Sequence, residues 1–521
     1  MRVFALAAAL IIFVTGAALA DPTVTIPQGA LSGVSDGTIA SFKGIPFAAP
    51  PVGDLRWRAP QPAASWTGTR DATKFGAICL QAPRKPGSHP RAPLPESEDC
   101  LTVNVWTPNI AATKKLPVMV WIYGGGFREG GSASALYDGA ELARHGVVVV
   151  TLNYRLGLFG FLDLPALAAE HPNEPHGNYG ILDQIAALKW VQANIGAFGG
   201  DASNVTIFGE SAGGMSVNDL MVSPLARGLF SKAISESGLG LITTPSDIDG
   251  QKVAGAFLVQ HGVETGDPAK TLSAIRSLSA ADIVKGEPLD DSGPGGPMVD
   301  GTVIPDQVAK LFAEGKIAHA TYMAGSNSDE TTLMEYIGMT KDSLLKPLGD
   351  NLDRIKAVYT ANGSKDDDAF VRDLFSDGLF ASGAQGFAHY AAKAGDTAYV
   401  YNFRYLADLL RGKMSGVGHG GEIVYVFGFD GFSHDPIDGY LAGFATAKDK
   451  AMAQTIQSYW TNFAKTGDPN GPGLPLWPTT TSANPQTLVV DDKTQAIAGY
   501  RKDTLAIVYM GWNERTGLPM P

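Results

Sequence analysis

Val205-Thr206-Ile207-Phe208-Gly209-Glu210-Ser211-Ala212-Gly213-Gly214 is the stretch on which the reading of this chain turns. Its first four residues are β-branched or aromatic, the composition of a buried strand. The run stops at Gly209-Glu210-Ser211-Ala212-Gly213, which has the spacing G-x-S-x-G. A serine forced onto a sharp strand-to-helix turn needs neighbours without side chains, and Gly209 and Gly213 supply them. Ser211 would then stand exposed at the strand's end, with the amide of Ala212 aimed where an oxyanion forms. In a chain with 62 glycines such a pentapeptide can arise by chance, so its meaning depends on its surroundings.

Upstream, Pro117 to Tyr123 is a continuous apolar run, the mark of a strand covered on both faces. Gly124-Gly125-Gly126-Phe127 follows at once. Glycines after a buried strand expose backbone amides to a ligand. The pattern is the H-G-G-G type of oxyanion loop with Tyr123 in the histidine's place, the alternative being a flexible linker. Leu101 to Trp106 alternates as a strand does, and Val147 to Tyr154 reads as a further buried strand. Gly180 to Phe198 has helical spacing through Ile181, Ile185, Leu188, Val191 and Ile195, and a helix is expected from Ser211 toward Leu220. Alternating buried strands and helices predict an α/β fold with a doubly wound, mostly parallel sheet. Residues 240–320 and 340–415 read as more polar helical insertions over the sheet's carboxyl edge, where such folds bind ligands. Without repeats, low-complexity tracts or a convincing linker, residues 21–521 are read as a single domain.

Met1–Ala20 reads as a signal peptide: a basic start at Arg2, an apolar stretch from Val3 to Val14, and the A-x-A site Ala18-Leu19-Ala20. Cleavage after Ala20 would give a secreted or periplasmic protein, and no later segment is apolar for long enough to span a bilayer. The 52 acidic residues against 40 basic ones give a net charge of −12, which argues against nucleic acid or an anionic membrane as partner. Cys79 and Cys100 form an even pair of the kind that bridges in exported proteins. Closing that loop would stabilise the fold by roughly 3 kcal/mol on the chain-entropy model.

An activated serine needs a base, and the base an orienting acid, in the chain order Ser, acid, His for this fold class. Five histidines follow Ser211: His261, His319, His389, His419 and His434. His389 lies in a helical stretch, and His261, His319 and His434 lack a structured approach. His419 stands in Gly416-Val417-Gly418-His419-Gly420-Gly421-Glu422, a glycine-rich loop suited to delivering a base. For the acid, Thr321 to Gly325 ends like a strand and leads into Ser326-Asn327-Ser328-Asp329-Glu330; spacing alone leaves Asp329 and Glu330 both open.

At this point the chain resembles the type-B carboxylesterases of the carboxylesterase/cholinesterase family. The resemblance runs through GIPFAAPPVGDLRW (44–57), SEDCLTVNVWTP (97–108), VWIYGGGF (120–127), NYR (153–155), FGGDASNVTIFGESAGG (198–214), ISESG (234–238), NSDE (327–330), GHGGEIVYVFG (418–428) and NFAKTGDPNG (462–471). It implies the α/β-hydrolase fold, with a gorge leading to the serine. It also implies Ser211 as nucleophile, Glu330 as acid, His419 as base, and the amides of Gly125, Gly126 and Ala212 as the oxyanion hole. A Cys79–Cys100 disulfide, the ion pairs Arg56–Glu98 and Arg155–Asp183, and a supporting role for Ser237 follow in the same way. The expected activity is hydrolysis of small to medium esters through an acyl-enzyme, with no metal or cofactor. Two other readings remain: an esterase dedicated to one bulky natural ester, such as a toxin or polyketide side chain, and a non-catalytic adhesion protein.

The chain departs from the cholinesterases in three places. Between Cys79 and Cys100 it has no aromatic residue to hold a quaternary ammonium, so choline esters are not expected. That loop holds Arg84, Lys85, His89 and Arg91, read either as a solvated surface balanced by Glu96, Glu98 and Asp99 or as positive charge favouring anionic esters. Asp291-Ser292-Gly293-Pro294-Gly295-Gly296 stands where acyl-pocket aromatics are placed, which predicts a wide or mobile acyl pocket. Thr331 replaces a glycine common after the acid.

Overall fold

The computed structural model describes residues 21–82, 94–285, 295–429, 443 and 445–521. The proposed signal peptide, Arg84, Lys85, His89, Arg91, residues 291–294 and His434 lie outside the described residues.

The architecture is organised by one large sheet of eleven strands. In chain order these are β1 (Val34–Ser35), β2 (Ala40–Pro46), β3 (Thr102–Thr107), β4 (Leu116–Ile122), β5 (Val148–Leu152) and β6 (Gly200–Glu210). They continue with β7 (Lys232–Glu236), β8 (Thr321–Asn327), β9 (Ala398–Phe403), β10 (Gln486–Val490) and β11 (Gln495–Ala498). The spatial order is β11-β10-β9-β8-β7-β6-β4-β5-β3-β2-β1. Pairing is parallel from β5 across to β10 and antiparallel at both edges. The expected mostly parallel sheet is therefore present, and its strands β5, β7 and β9 are buried on both faces.

Helix α1 (Tyr179–Asn194) covers the span expected to be helical, continuing as a tighter turn over Ile195–Phe198. Helix α2 (Ala212–Val222) packs on β6 and β7, α3 (Ser382–Lys393) on β8 and β9, and α4 (Ala447–Thr466) across β4 and β6. Helices within 240–320 and 340–393 form the insertions. One expectation is corrected. The second insertion does not reach residue 415, because Ala398-Tyr399-Val400-Tyr401-Asn402-Phe403 is β9, a sheet strand buried on both faces. Its aromatic and β-branched content outweighs the helical character of the preceding stretch.

The chain runs from β4 outward to β5 on one side, then crosses to β6 on the other. That reversal opens a crevice at the carboxyl ends of β4 and β6, the place where open α/β sheets hold ligands. Gly124–Gly126 follows β4, and Ser211 follows β6. A single apolar core extends through the sheet and its helices, with a satellite cluster of Ile355, Tyr359, Phe370 and Leu374. Among the described residues no helix is long and apolar enough to cross a membrane.

Candidate active site

Ser211 occupies the turn between β6 and α2 with φ 58° and ψ −122°, a conformation that costs free energy for any residue with a Cβ. The turn is held by crowding on every side. The Ser211 amide donates to Glu236 O at 2.9 Å, and the Met215 amide to Ser211 O at 2.8 Å. A Cβ on Gly213 would lie 2.0 Å from Ile122 O, and one on Gly209 2.5 Å from the same oxygen. The G-x-S-x-G spacing thus has a steric cause: β4 passes so close that only glycine fits.

The loop after β4 lies against this turn. A Cβ on Gly124 would meet Glu210 O at 2.5 Å, and Gly125, at φ 111°, carries its own carbonyl under the amides of Arg128 and Glu129 at 3.1 and 3.0 Å. The base of the loop is clamped by Tyr123 and Tyr154, whose rings stack at 4.5 Å. Each hydroxyl donates to the other residue's carbonyl, at 3.2 and 2.9 Å. The amides of Gly125, Gly126 and Ala212 donate to none of the described residues, so three N–H groups remain at the carboxyl ends of β4 and β6. Orphan donors at a loop and a helix start form a site for developing negative charge.

Glu330 and His419 come together from 89 residues apart: His419 Nδ1 lies 2.7 Å from Glu330 Oε2. The other carboxylate oxygen accepts from Ser237 Oγ at 2.8 Å and from the Asn327 amide at 2.7 Å. Asp329, the alternative left open by spacing, does not face the histidine; it bonds to the Thr331 hydroxyl and its amide donates to Val417 O. Thr331 has ordinary helical backbone (φ −65°, ψ −15°), so nothing at that position demands glycine. His419 Nε2 makes no hydrogen bond to any described residue and lies 3.3 Å from Glu210 Oε1. No hydrogen bond joins it to Ser211 in this resting arrangement; such contacts commonly tighten only once substrate is bound.

Two of the other candidate histidines lie elsewhere. His389 is buried on α3 against Thr480, held at about 4 by its burial, and His319 is exposed beside Asp396. Residues that the sequence did not single out complete the setting. Ser376 Oγ accepts from the Glu330 amide at 3.1 Å, and Thr332 Oγ1 from the His419 amide at 2.9 Å. Phe380, in a π-helical turn over Asp377–Ala381, places its ring 5.2 Å from the imidazole. The expected disulfide and both expected ion pairs are formed.

Three buried glutamates, Glu210, Glu330 and Glu422, surround the histidine, with a fourth, Glu236, behind Glu210 and Glu422, and like charges at such range cannot all ionise. Burial and the charges of Glu210 and Glu330 push Glu422 up to about 8 against a bond from Asn327 Nδ2. Burial and the charge of Glu422 hold Glu236 well above the usual carboxylate range, although Trp460 Nε1 donates to it at 2.8 Å. Burial alone would lower His419. The charge of Glu210, with the hydrogen bond and charge of Glu330, outweighs that and pushes the imidazole up to about 9.

Residues 20–508 match the model of the carboxylesterase family. The chain belongs to that family. It is 38% identical over 470 residues to the fumonisin B1 esterase of Sphingopyxis macrogoltabida, covering 87% of this chain and 83% of that protein. To the para-nitrobenzyl esterase of Bacillus subtilis (strain 168) it is 38% identical over 485 residues, covering 90% and 95%. A solved PNB esterase structure superposes with a TM-score of 0.78 at 34% identity, over 94% of this chain and 99% of that one. The fold is the α/β-hydrolase fold, and this carboxylesterase-family chain is a carboxylic ester hydrolase acting on small-molecule esters.

Proposed function

We propose that the enzyme hydrolyses esters through an acyl-enzyme on Ser211, with His419 as base, Glu330 as its orienting acid and the amides of Gly125, Gly126 and Ala212 as the oxyanion hole. The observation that carries this is the strained Ser211 turn facing three orphan amides, beside a buried 2.7 Å His419–Glu330 pair. His419 takes the hydroxyl proton as Ser211 attacks the ester carbonyl. The amides hold the oxyanion, the alcohol leaves with the proton, and water repeats the sequence on the acyl-enzyme. Glu330 keeps Nδ1 protonated and the ring oriented; Ser237 and the Asn327 amide keep Glu330 in place.

The reading extends to small and medium esters but not choline esters, with a wide or mobile acyl pocket as the lack of aromatic residues in 291–296 suggests. Similarity to a fumonisin B1 esterase favours one further reading, an enzyme dedicated to a bulky natural ester. The Cys79–Cys100 bridge and the leader sequence support export with cleavage after Ala20, and residues 21–521 are taken as one domain. Hydrolysis of p-nitrophenyl acetate and butyrate by wild type and Ser211→Ala tests the chemistry; equal rates would refute it. A panel of p-nitrophenyl and bulky natural esters separates the two substrate readings.

A further inference from the structure

A polar cavity of about 390 Å³ lies beside the loops of Glu330 and His419, with none of Ser211, Glu330 or His419 in its wall. Its volume is in the range of small-ligand sites. Arg372, Arg404 and Arg501 line it against a single carboxylate, Asp373. Asp373 is already engaged by Ser364 Oγ at 2.6 Å and lies 3.5 Å from Arg372 and 3.8 Å from Arg501. Arg501 rests on the buried Asp377, and Arg404 donates to the Tyr500 hydroxyl at 3.0 Å, with Asp491 4.0 Å away. Arg372 makes no hydrogen bond to any described residue although its side chain is only 24% exposed. Thr504, in the first turn of the 15-residue helix Lys502–Thr516, adds that helix's positive end to the wall.

We infer that this cavity binds a small oxyanion, a carboxylate or a phosphate monoester. Guanidinium groups with unused donors match oxyanions in both charge and geometry. Asp373, Asp377 and Asp491 offset the three charges, so what the wall offers a ligand is the set of guanidinium donors left unused, those of Arg372 above all. The cavity also touches the catalytic loops. Ser328 lines it, and its hydroxyl accepts from the Val417 amide at 2.9 Å, joining the loop of Glu330 to the loop of His419. The helix Asp367–Ser376 carries Arg372 and Asp373 into the wall, and ends with Ser376 bonded to the Glu330 amide. Occupancy therefore changes the rate of ester hydrolysis, a consequence that rests on the roles proposed for Glu330 and His419.

Calorimetric titration of Ser211→Ala protein with succinate and with glycerol phosphate at low salt tests binding apart from catalysis. One-to-one saturable binding of at least one is expected, weakened about tenfold or more in Arg372→Gln/Arg404→Gln. The anion that binds more tightly identifies which oxyanion the site takes. Saturation by neither, or equal binding by the double variant, overturns the site. Arg372→Gln alone, which removes no hydrogen bond, keeps the test valid if the double variant does not fold. An unchanged p-nitrophenyl butyrate rate at saturating anion overturns the coupling to catalysis and leaves the binding result to stand on its own.

Discussion

The serine side of the site and the acid–base side are built by different means. Ser211 is fixed by neighbours within a few residues and by one adjacent strand: β6 ends, the chain turns, and Ile122 O leaves no room for a side chain on Gly209 or Gly213. Glu330 and His419 are fixed by hydrogen bonds with Ser237, Asn327, Thr332 and Ser376, gathered from the residue after β7, the end of β8 and two separate helices. Local sterics thus set the nucleophile, and long-range polar contacts set the proton relay. The two halves should fail differently when disturbed.

The largest effect is expected from Ser211→Ala, which should lower kcat by about 10⁶-fold with the melting temperature preserved or raised, since the turn loses only its reacting group. Glu330→Gln should keep the carbonyl acceptor but present the wrong partner to Nδ1, lowering kcat by roughly 10⁴-fold. Asp329→Asn, one residue away, should stay within a few-fold of wild type in the same p-nitrophenyl assay; equal damage by both would place the acid wrongly. Gly213→Ala tests the steric half. Its Cβ would sit 2.0 Å from Ile122 O, so a loss of about 3 kcal/mol or more is expected by thermal or denaturant unfolding.

A smaller effect separates the halves by pH. The base must be neutral, and the neutral imidazole is the form present above its folded pKa, which is raised. Activity is therefore lost as pH falls through a midpoint above 6.5, the ordinary histidine value. Glu210→Gln removes the first of the raising charges, so its kcat/KM profile should shift to lower pH. An unshifted profile would mean that Glu210 does not act on the base.

The same division decides what was legible in the sequence. The serine turn and the glycine loop are local, so residue types at fixed spacing revealed both, along with β4 and β5. The choice between Asp329 and Glu330 was not local. Adjacent residues in a loop point differently according to which tertiary donors wait for them, and only the family resemblance favoured Glu330. Ser376 and Thr332 carry no sequence signal, since a serine at a helix end and a threonine in a loop are commonplace. β9 was absorbed into the insertion before it, because a six-residue aromatic run is too short to show a period. The arginine-lined cavity draws its arginines from three separate segments, a convergence that spacing cannot reveal.

Arg56 shows what such convergence means for a chain emerging from the ribosome. It pairs with Glu98, 42 residues on, and also donates to the carbonyls of Arg276 and Leu278, 220 and 222 residues on. At about 5–20 residues per second, the interval between making Arg56 and making its last partners is roughly ten to forty-five seconds. For that time the guanidinium waits with its Glu98 fork alone, and the N-terminal quarter of the enzyme cannot complete its packing ahead of the insertion that closes over it.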